Sequence, residues 1–201
     1  AVTLVGDTCV GKTMMIKTYV NGKCHQHKIP TIGIDLSIKK LLQTNNNRNY
    51  KVLLYDTTGS QRFVQIISPY IKKAIGIIIC FSYGDKQSLY NVIDWYNLIK
   101  KTCNKNIQII VSGNIYNNHI EITKEEVDHV LGKLNLECVD THISSFLSIQ
   151  KTFSKLVFKI DDCINNDIIP LNSIKLSKDI IHIPKRHCVF KLMDRLQKLI
   201  C

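Results

Sequence analysis

The stretch Gly6-Asp7-Thr8-Cys9-Val10-Gly11-Lys12-Thr13 decides how the chain is read. It follows the apolar run Val2 to Val5 and opens a segment with helical apolar spacing at Met14, Met15, Ile16 and Tyr19. A Gly-x4-Gly-Lys-Thr pattern between a strand and a helix stands where a phosphate-binding loop must stand. Gly6 and Gly11 let the backbone curl so that its N–H groups and the helix N-terminus face one anion. Lys12 adds a cation for the outer phosphates, and the Thr13 hydroxyl is a hard oxygen ligand for magnesium. An ordinary glycine turn ahead of a helix has no need of Lys-Thr at this spacing. The lead from Val2 to Val5 is short for a whole strand, so the first strand is expected to be truncated at Ala1.

Composition sets the outer limits. With 201 residues, 45% hydrophobic and 21% charged, the chain is expected to form one domain with a real core, plus a tail. Eight cysteines lie far apart without a Cys-x-x-Cys pair, and Cys80 and Cys138 fall in apolar runs, which reads as reduced thiols in a cytoplasmic protein. Cys24, His25 and His27 form the one tight Cys/His cluster and read as a polar loop rather than a zinc site. No secretory signal or membrane span is visible: Ala74 to Phe81, the longest apolar run, falls well short of the roughly 20 residues a bilayer needs. A net charge of +11 and a pI near 9.3 favour acidic partners, a membrane surface or nucleic acid, without choosing between them.

Along the chain, Gly33 to Lys40 alternates Ile34, Leu36 and Ile38 against Asp35, Ser37 and Lys39, which predicts a half-buried strand with the apolar set inward. Thr44 to Asn49 supplies a turn, and Lys51 to Tyr55 a return strand ending at Asp56. Ala74 to Phe81 predicts a buried strand, and Leu89, Val92, Ile93, Tyr96 and Ile99 one helical face on a segment that carries Trp95. Ile107 to Val111 and Leu136 to Val139 are further strands. Between them Thr123-x-x-Glu126 is a capping box for a helix with Val127, Val130 and Leu131 inward. A stripe from Phe146 to Ile160 marks the closing helix. This alternation predicts an α/β fold: a doubly wound, mostly parallel six-stranded sheet flanked by helices, with ligands at the carboxyl ends of the strands.

The motifs in this order resemble the Rab-type small GTPases of the Ras superfamily. Pro30-Thr31-Ile32-Gly33-Ile34-Asp35-Leu36 is similar to their first switch, and Tyr55-Asp56-Thr57-Thr58-Gly59-Ser60-Gln61-Arg62-Phe63 to their second. Tyr70-Ile71-Lys72-Lys73-Ala74 resembles the end of that second switch, and the likeness runs from about residue 2 to about 160. It implies a P-loop NTPase fold over residues 1–163, GTP and GDP as ligands, Mg2+ as cofactor, and Rab-type effectors and regulators meeting the switches. Position by position, Gly6, Asp7, Thr8, Cys9, Val10, Gly11, Lys12 and Thr13 would cradle the phosphates. Thr13 and Thr31 would bind magnesium, Asp56 would hold a magnesium-bound water, and the Gly59 N–H would contact the terminal phosphate.

Departures from the pattern carry their own expectations. The catalytic glutamine position is Ser60, whose hydroxyl is too short to orient an attacking water as an amide does, so hydrolysis is expected to be slow or absent. Thr8 adds bulk where Ras has glycine. The guanine-reading Asn-Lys-x-Asp is Asn114-Ile115-Tyr116-Asn117: Asn114 is kept, Ile115 would pack on the base without charge, and Asn117 offers one donor and one acceptor to a base edge with two donors. The family's base-packing aromatic corresponds to Cys24, and its last base loop to His142-Ile143-Ser144. Base specificity is therefore expected to be relaxed, with a carbonyl at C2, as in xanthine, suiting the Asn117 amide.

Three readings follow: a Rab-like switch that stays on, linked to vesicle trafficking; a degenerate GTPase fold acting as a scaffold for, or competitor of, Rab partners; and a basic nucleic-acid-associated P-loop protein. The last has only charge behind it and lacks stacking motifs. Residues 164–201 form a tail in which Val189, Leu192, Met193, Leu196, Leu199 and Ile200 recur opposite Lys191, Arg195 and Lys198. This predicts a basic amphipathic helix that either docks on the domain or lies peripherally on an anionic membrane, with Cys201 a candidate single lipid site.

Overall fold

Strand β1 (Val2–Gly6) is buried along its whole length and runs straight into the loop before helix α1 (Lys12–Asn21). This computed structural model describes residues 1–24, 31, 33–41, 50–103, 106–117, 119–166 and 168–169. Strands β2 (Ile34–Leu41) and β3 (Tyr50–Thr57) pair antiparallel from Ile34↔Thr57 to Leu41↔Tyr50, the hairpin the alternation predicts. Its turn at residues 44–49 lies outside the described residues, as do His25, His27, Pro30, Ile32 and the whole of the predicted tail helix. After a 3-10 turn at Gln61–Phe63 come α2 (Val64–Lys73), β4 (Gly76–Ser82), α3 (Lys86–Tyr90) and α4 (Val92–Thr102). Then follow β5 (Gln108–Ile115), α5 (Lys124–Gly132), β6 (Cys138–His142) and α6 (Phe146–Asn165).

The six strands form one sheet in the order β2-β3-β1-β4-β5-β6, with every neighbouring pair parallel except β2 and β3. Central parallel strands are covered on both faces, so they must be apolar throughout. Ile77, Ile78, Ile79, Cys80 and Phe81 are accordingly all 0% exposed. Burial also pushes the Cys80 thiol up to about 12, which keeps it an unreactive core group. The chain moves to opposite sides of β1 and β4, and the crevice beyond their carboxyl ends is where the Gly6 to Thr13 loop sits. The capping box forms as read: Thr123 Oγ1 accepts from the Glu126 N–H and the Glu126 side chain accepts from the Thr123 N–H.

Two expectations are corrected. The single helical face from Leu89 to Ile99 belongs to two helices broken at Asn91, with Leu89 on α3 and Val92, Trp95 and Ile99 the buried stripe of α4. On β2 the faces are inverted from Leu36 onward: Leu36 and Ile38 are 50% and 45% exposed, while Ser37 and Lys39 are half-buried; only the first pair, half-buried Ile34 and exposed Asp35, keeps the expected sides. The reason is a polar attachment on the inner side. Lys39 Nζ donates to the Val20 carbonyl at the end of α1, at 3.2 Å, and lies over the Tyr19 ring, so its stem covers the helix and its charge meets the negative end of the helix dipole.

Candidate nucleotide-binding site

The loop between β1 and α1 is wound as its glycines require. Gly6 has φ 135° and sits so close to β4 that a Cβ there would stand 2.1 Å from the Cys80 carbonyl oxygen. Gly11 has φ 95° at the start of α1, and Cys9 takes φ 65° without being glycine. A tight, left-handed path of this kind turns successive N–H groups toward one point. Asp7 takes part differently from its expected role. Its two carboxylate oxygens accept from Asn91 Nδ2 at 2.6 Å and from the Trp95 indole N–H at 2.8 Å, so its side chain braces the loop to α4.

Lys12 is 5% exposed and donates to the carbonyls of Gly6 at 2.9 Å and Asp7 at 2.6 Å. Burial lowers its pKa from the ordinary lysine value, against the nearby Asp56 and Asp7 charges that raise it. An anion in the loop would relieve that cost of burial, which is the electrostatic counterpart of a phosphate site. Beside it three side chains converge. Thr13 Oγ1 donates to Asp56 Oδ2 at 2.6 Å, Thr31 Oγ1 lies 2.7 Å from Thr13 Oγ1, and Thr31 Oγ1 is 3.3 Å from Asp56 Oδ2. Asp56 is 3% exposed, yet its Oδ1 has no hydrogen-bond partner among the described residues. A buried carboxylate oxygen without a donor, beside two hydroxyls, is a hard-oxygen set that fits magnesium. Gly59 lies against the loop so closely that a Cβ would stand 2.2 Å from the Thr8 nitrogen. The two switch segments are joined to each other by Thr58 N–H donating to the Gly33 carbonyl at 2.9 Å. Ser60 is half-buried at the turn before Gln61.

These parts border a cavity of about 420 Å³. Its phosphate end is formed by Thr8, Cys9, Lys12, Thr13, Thr31 and Gly59, and its other end by Ser82, Gly84, Tyr116 and His119. Asn114 is buried between them: its Nδ2 donates to the Val10 carbonyl at 2.6 Å and its Oδ1 accepts from the Ser112 hydroxyl at 2.7 Å. It therefore ties β5 to the loop. Asn117 is exposed with φ 49° and is not part of the cavity wall, and neither is the exposed Cys24. Ile115, expected to pack on a base, instead points into the core beneath α4 and α5, 7% exposed. The reason is strand period: with Asn114 directed at the loop, its neighbour on β5 must face the other layer. Ile143 does line the cavity, its Cδ1 3.1 Å from where a Gly11 Cβ would be.

Sequence reading brings together Lys12, Thr13, Thr31, Asp56 and Gly59, and the fold places them around one end of the cavity. It missed Asn91 and Trp95 as loop supports and Tyr116 and His119 as wall. A lone tryptophan on a helical stripe reads as core, and only its indole N–H, which needs an acceptor when buried, hinted at a polar partner.

Comparison with known proteins agrees with this geometry. The sequence profile of the Ras family matches residues 1–162. The chain is 29% identical over 161 residues to the Ras-related protein SEC4 of Candida albicans, covering 79% of this chain and 76% of that one. It is 29% identical over 161 residues to the Ras-related protein Rab-3C of Bos taurus, with 79% and 70% covered. It is 26% identical over 172 residues to the GTP-binding protein Rab-3D of Rattus norvegicus, with 85% and 78% covered. With the sheet order, the loop and the two switch segments in place, the chain belongs to the Ras family, as a Rab-like small GTPase.

Proposed function

We propose that the chain is a nucleotide-dependent switch that binds magnesium and GTP in the β1–α1 cavity, hydrolyses GTP slowly, and offers its switch surface to trafficking partners. The observation that carries this reading is the convergence of Thr13, Thr31 and Asp56, with Asp56 Oδ1 left without a hydrogen-bond partner among the described residues. When bound there, magnesium would supply positive charge to the phosphate oxygens. Thr13 and Thr31 would hold it, Asp56 would position its water, and Lys12 and the loop N–H groups would hold the phosphates. Through Thr31 and the Gly33–Thr58 hydrogen bond, occupancy of that site bears on both switches at once. Ser60 cannot aim a water as an amide can, which supports a long-lived bound state. Residues 1–163 are the proposed switch domain. The tail 164–201 is the proposed peripheral membrane contact, and no helix among the described residues is long and apolar enough to cross a membrane.

Titrating nucleotide-free full chain with GTP and GDP, with and without magnesium, tests the reading. Submicromolar, magnesium-dependent binding that Lys12→Ala abolishes is expected; binding untouched by Lys12→Ala would refute it. A second reading, a scaffold that meets Rab partners whatever its nucleotide, is favoured by one observation. Leu36, Ile38, Phe63 and Ile66 are 50%, 45%, 47% and 49% exposed on β2 and the second switch. Partner binding that survives Lys12→Ala would select it.

A further inference from the structure

The base end of the cavity differs in kind from its phosphate end. The phosphate end gathers Lys12, Thr13 and Thr31, whereas the base end of the described wall offers few polar side chains. Asn114 uses its carbonyl and one amide N–H on Ser112 and Val10. The Ile143 N–H, in the β6–α6 loop, donates to the Ile115 carbonyl at 3.2 Å. Asn117 is outside the wall. What the wall does present is two rings. Tyr116 is 39% exposed, and His119 is exposed on the far limb of the same turn, its N–H donating to the Tyr116 carbonyl at 3.0 Å.

That turn is fixed on both sides. The Tyr83 N–H donates to the Asn114 carbonyl at 2.9 Å, and the Glu121 N–H donates to the Tyr83 carbonyl at 2.9 Å. His119 Nε2 lies 3.1 Å from Glu121 Oε1, and the ring rests on bare backbone at Gly84, where a Cβ would stand 2.5 Å from His119 Cδ2. Any side chain at 84 would push the ring off the wall.

We infer that Tyr116 and His119 are the base platform of this cavity, holding a nucleoside triphosphate by the faces of its base and not by its hydrogen-bonding edge, so that purine nucleotides bind without selection for guanine. This rests on the phosphate site proposed above. Stacking is tolerant of base identity because every base has a π-face, and larger purines gain more from it than pyrimidines. Selection of guanine would need polar groups matched to the edge of the base, and among the described residues this end offers only the second Asn114 amide N–H, the Tyr116 hydroxyl, the His119 ring and Ser82.

The experiment is calorimetric titration of the full nucleotide-free chain with magnesium tripolyphosphate, GTP, ATP and CTP, in wild type and in Tyr116→Ala, Tyr116→Phe, Asn117→Asp and Lys12→Ala. GTP and ATP are expected to bind within about threefold of each other and more tightly than CTP. Tyr116→Ala should weaken both purine nucleotides by the same factor, about tenfold, leave tripolyphosphate unchanged, and be rescued by Tyr116→Phe. Asn117→Asp should leave the GTP to ATP ratio where it was. A tenfold preference for GTP, a tenfold gain in that preference from Asn117→Asp, or a Tyr116→Ala variant equal to wild type would overturn the platform. GTP binding no tighter than tripolyphosphate would also overturn it while leaving the phosphate site standing. Tripolyphosphate that fails to bind, or binds equally to Lys12→Ala, overturns the phosphate site and the platform with it.

Discussion

Burial raises the Asp56 carboxyl above its ordinary value of 3.8, against the hydrogen bonds from Thr13 and Thr31 and the Lys12 charge that pull it down. The native state therefore keeps this proton at a pH where the unfolded chain has released it. Its contribution is fully present below 3.8 and is lost as pH rises through the raised native value. Ligand-free protein is expected to lose stability over that interval by a contribution that Asp56→Asn removes. Melting curves of the two proteins across pH measure it; parallel curves would show that the group is solvated or paired. The same variant should eliminate the dependence of nucleotide affinity on magnesium. At the neighbouring turn, Ser60→Gln is expected to raise single-turnover GTP hydrolysis at least roughly tenfold, by returning an amide where water must be oriented. A rate unchanged from wild type would place the defect elsewhere. At this scale the wound loop from Gly6 to Thr13 was legible, because it is contiguous and its spacing states its geometry. Asp7 and Ile115 were not: what Asp7 touches depends on Trp95, 88 residues away, and where Ile115 points depends on the phase of β5.

Elements add couplings that no local pattern contains. Apolar periodicity runs through the α3–α4 junction as though it were one helix, but Asn91 interrupts it. Its Oδ1 accepts from Gln87 and its Nδ2 donates to Asp7, so one residue ends α3, begins α4 and reaches the phosphate loop. Asp7→Ala would leave the buried Trp95 N–H and the Asn91 amide unpaired, and is expected to cost about 2 to 4 kcal/mol, read from the denaturant midpoint. A loss under 1 kcal/mol would mean that these donors find other acceptors. At α5, Thr123→Ala removes a formed capping box and should cost about 1 kcal/mol by the same measurement. That box was legible because both its partners lie within four residues. The inverted face of β2 was not, since alternation gives the two faces of a strand without saying which is inward, and Lys39 decided it from the polar side.

For the whole molecule, six predicted strands and the helices between them were sufficient to fix a doubly wound sheet, because right-handed crossovers leave few ways to join parallel strands. The antiparallel placement of β2 followed from its hairpin with β3. The exposed row of Leu36, Ile38, Phe63 and Ile66 is where the molecule departs from self-sufficiency. Replacing Phe63 or Ile66 by lysine is expected to shift stability by no more than about 0.5 kcal/mol and to leave nucleotide titrations unchanged. Any protein partner that reads this surface should be lost from both variants. A collapse of folding in either would show instead that the row is an internal support.

Trp95 is the chain's only tryptophan, and its indole N–H ends on the aspartate of the phosphate loop. Its emission is therefore expected to act as a built-in optical gauge of that loop: filling or emptying the cavity should alter the field around a single fluorophore, with no label attached. If the proposed cavity binds nucleotide, its occupancy is expected to be followed in the intact protein by the colour and brightness of one residue.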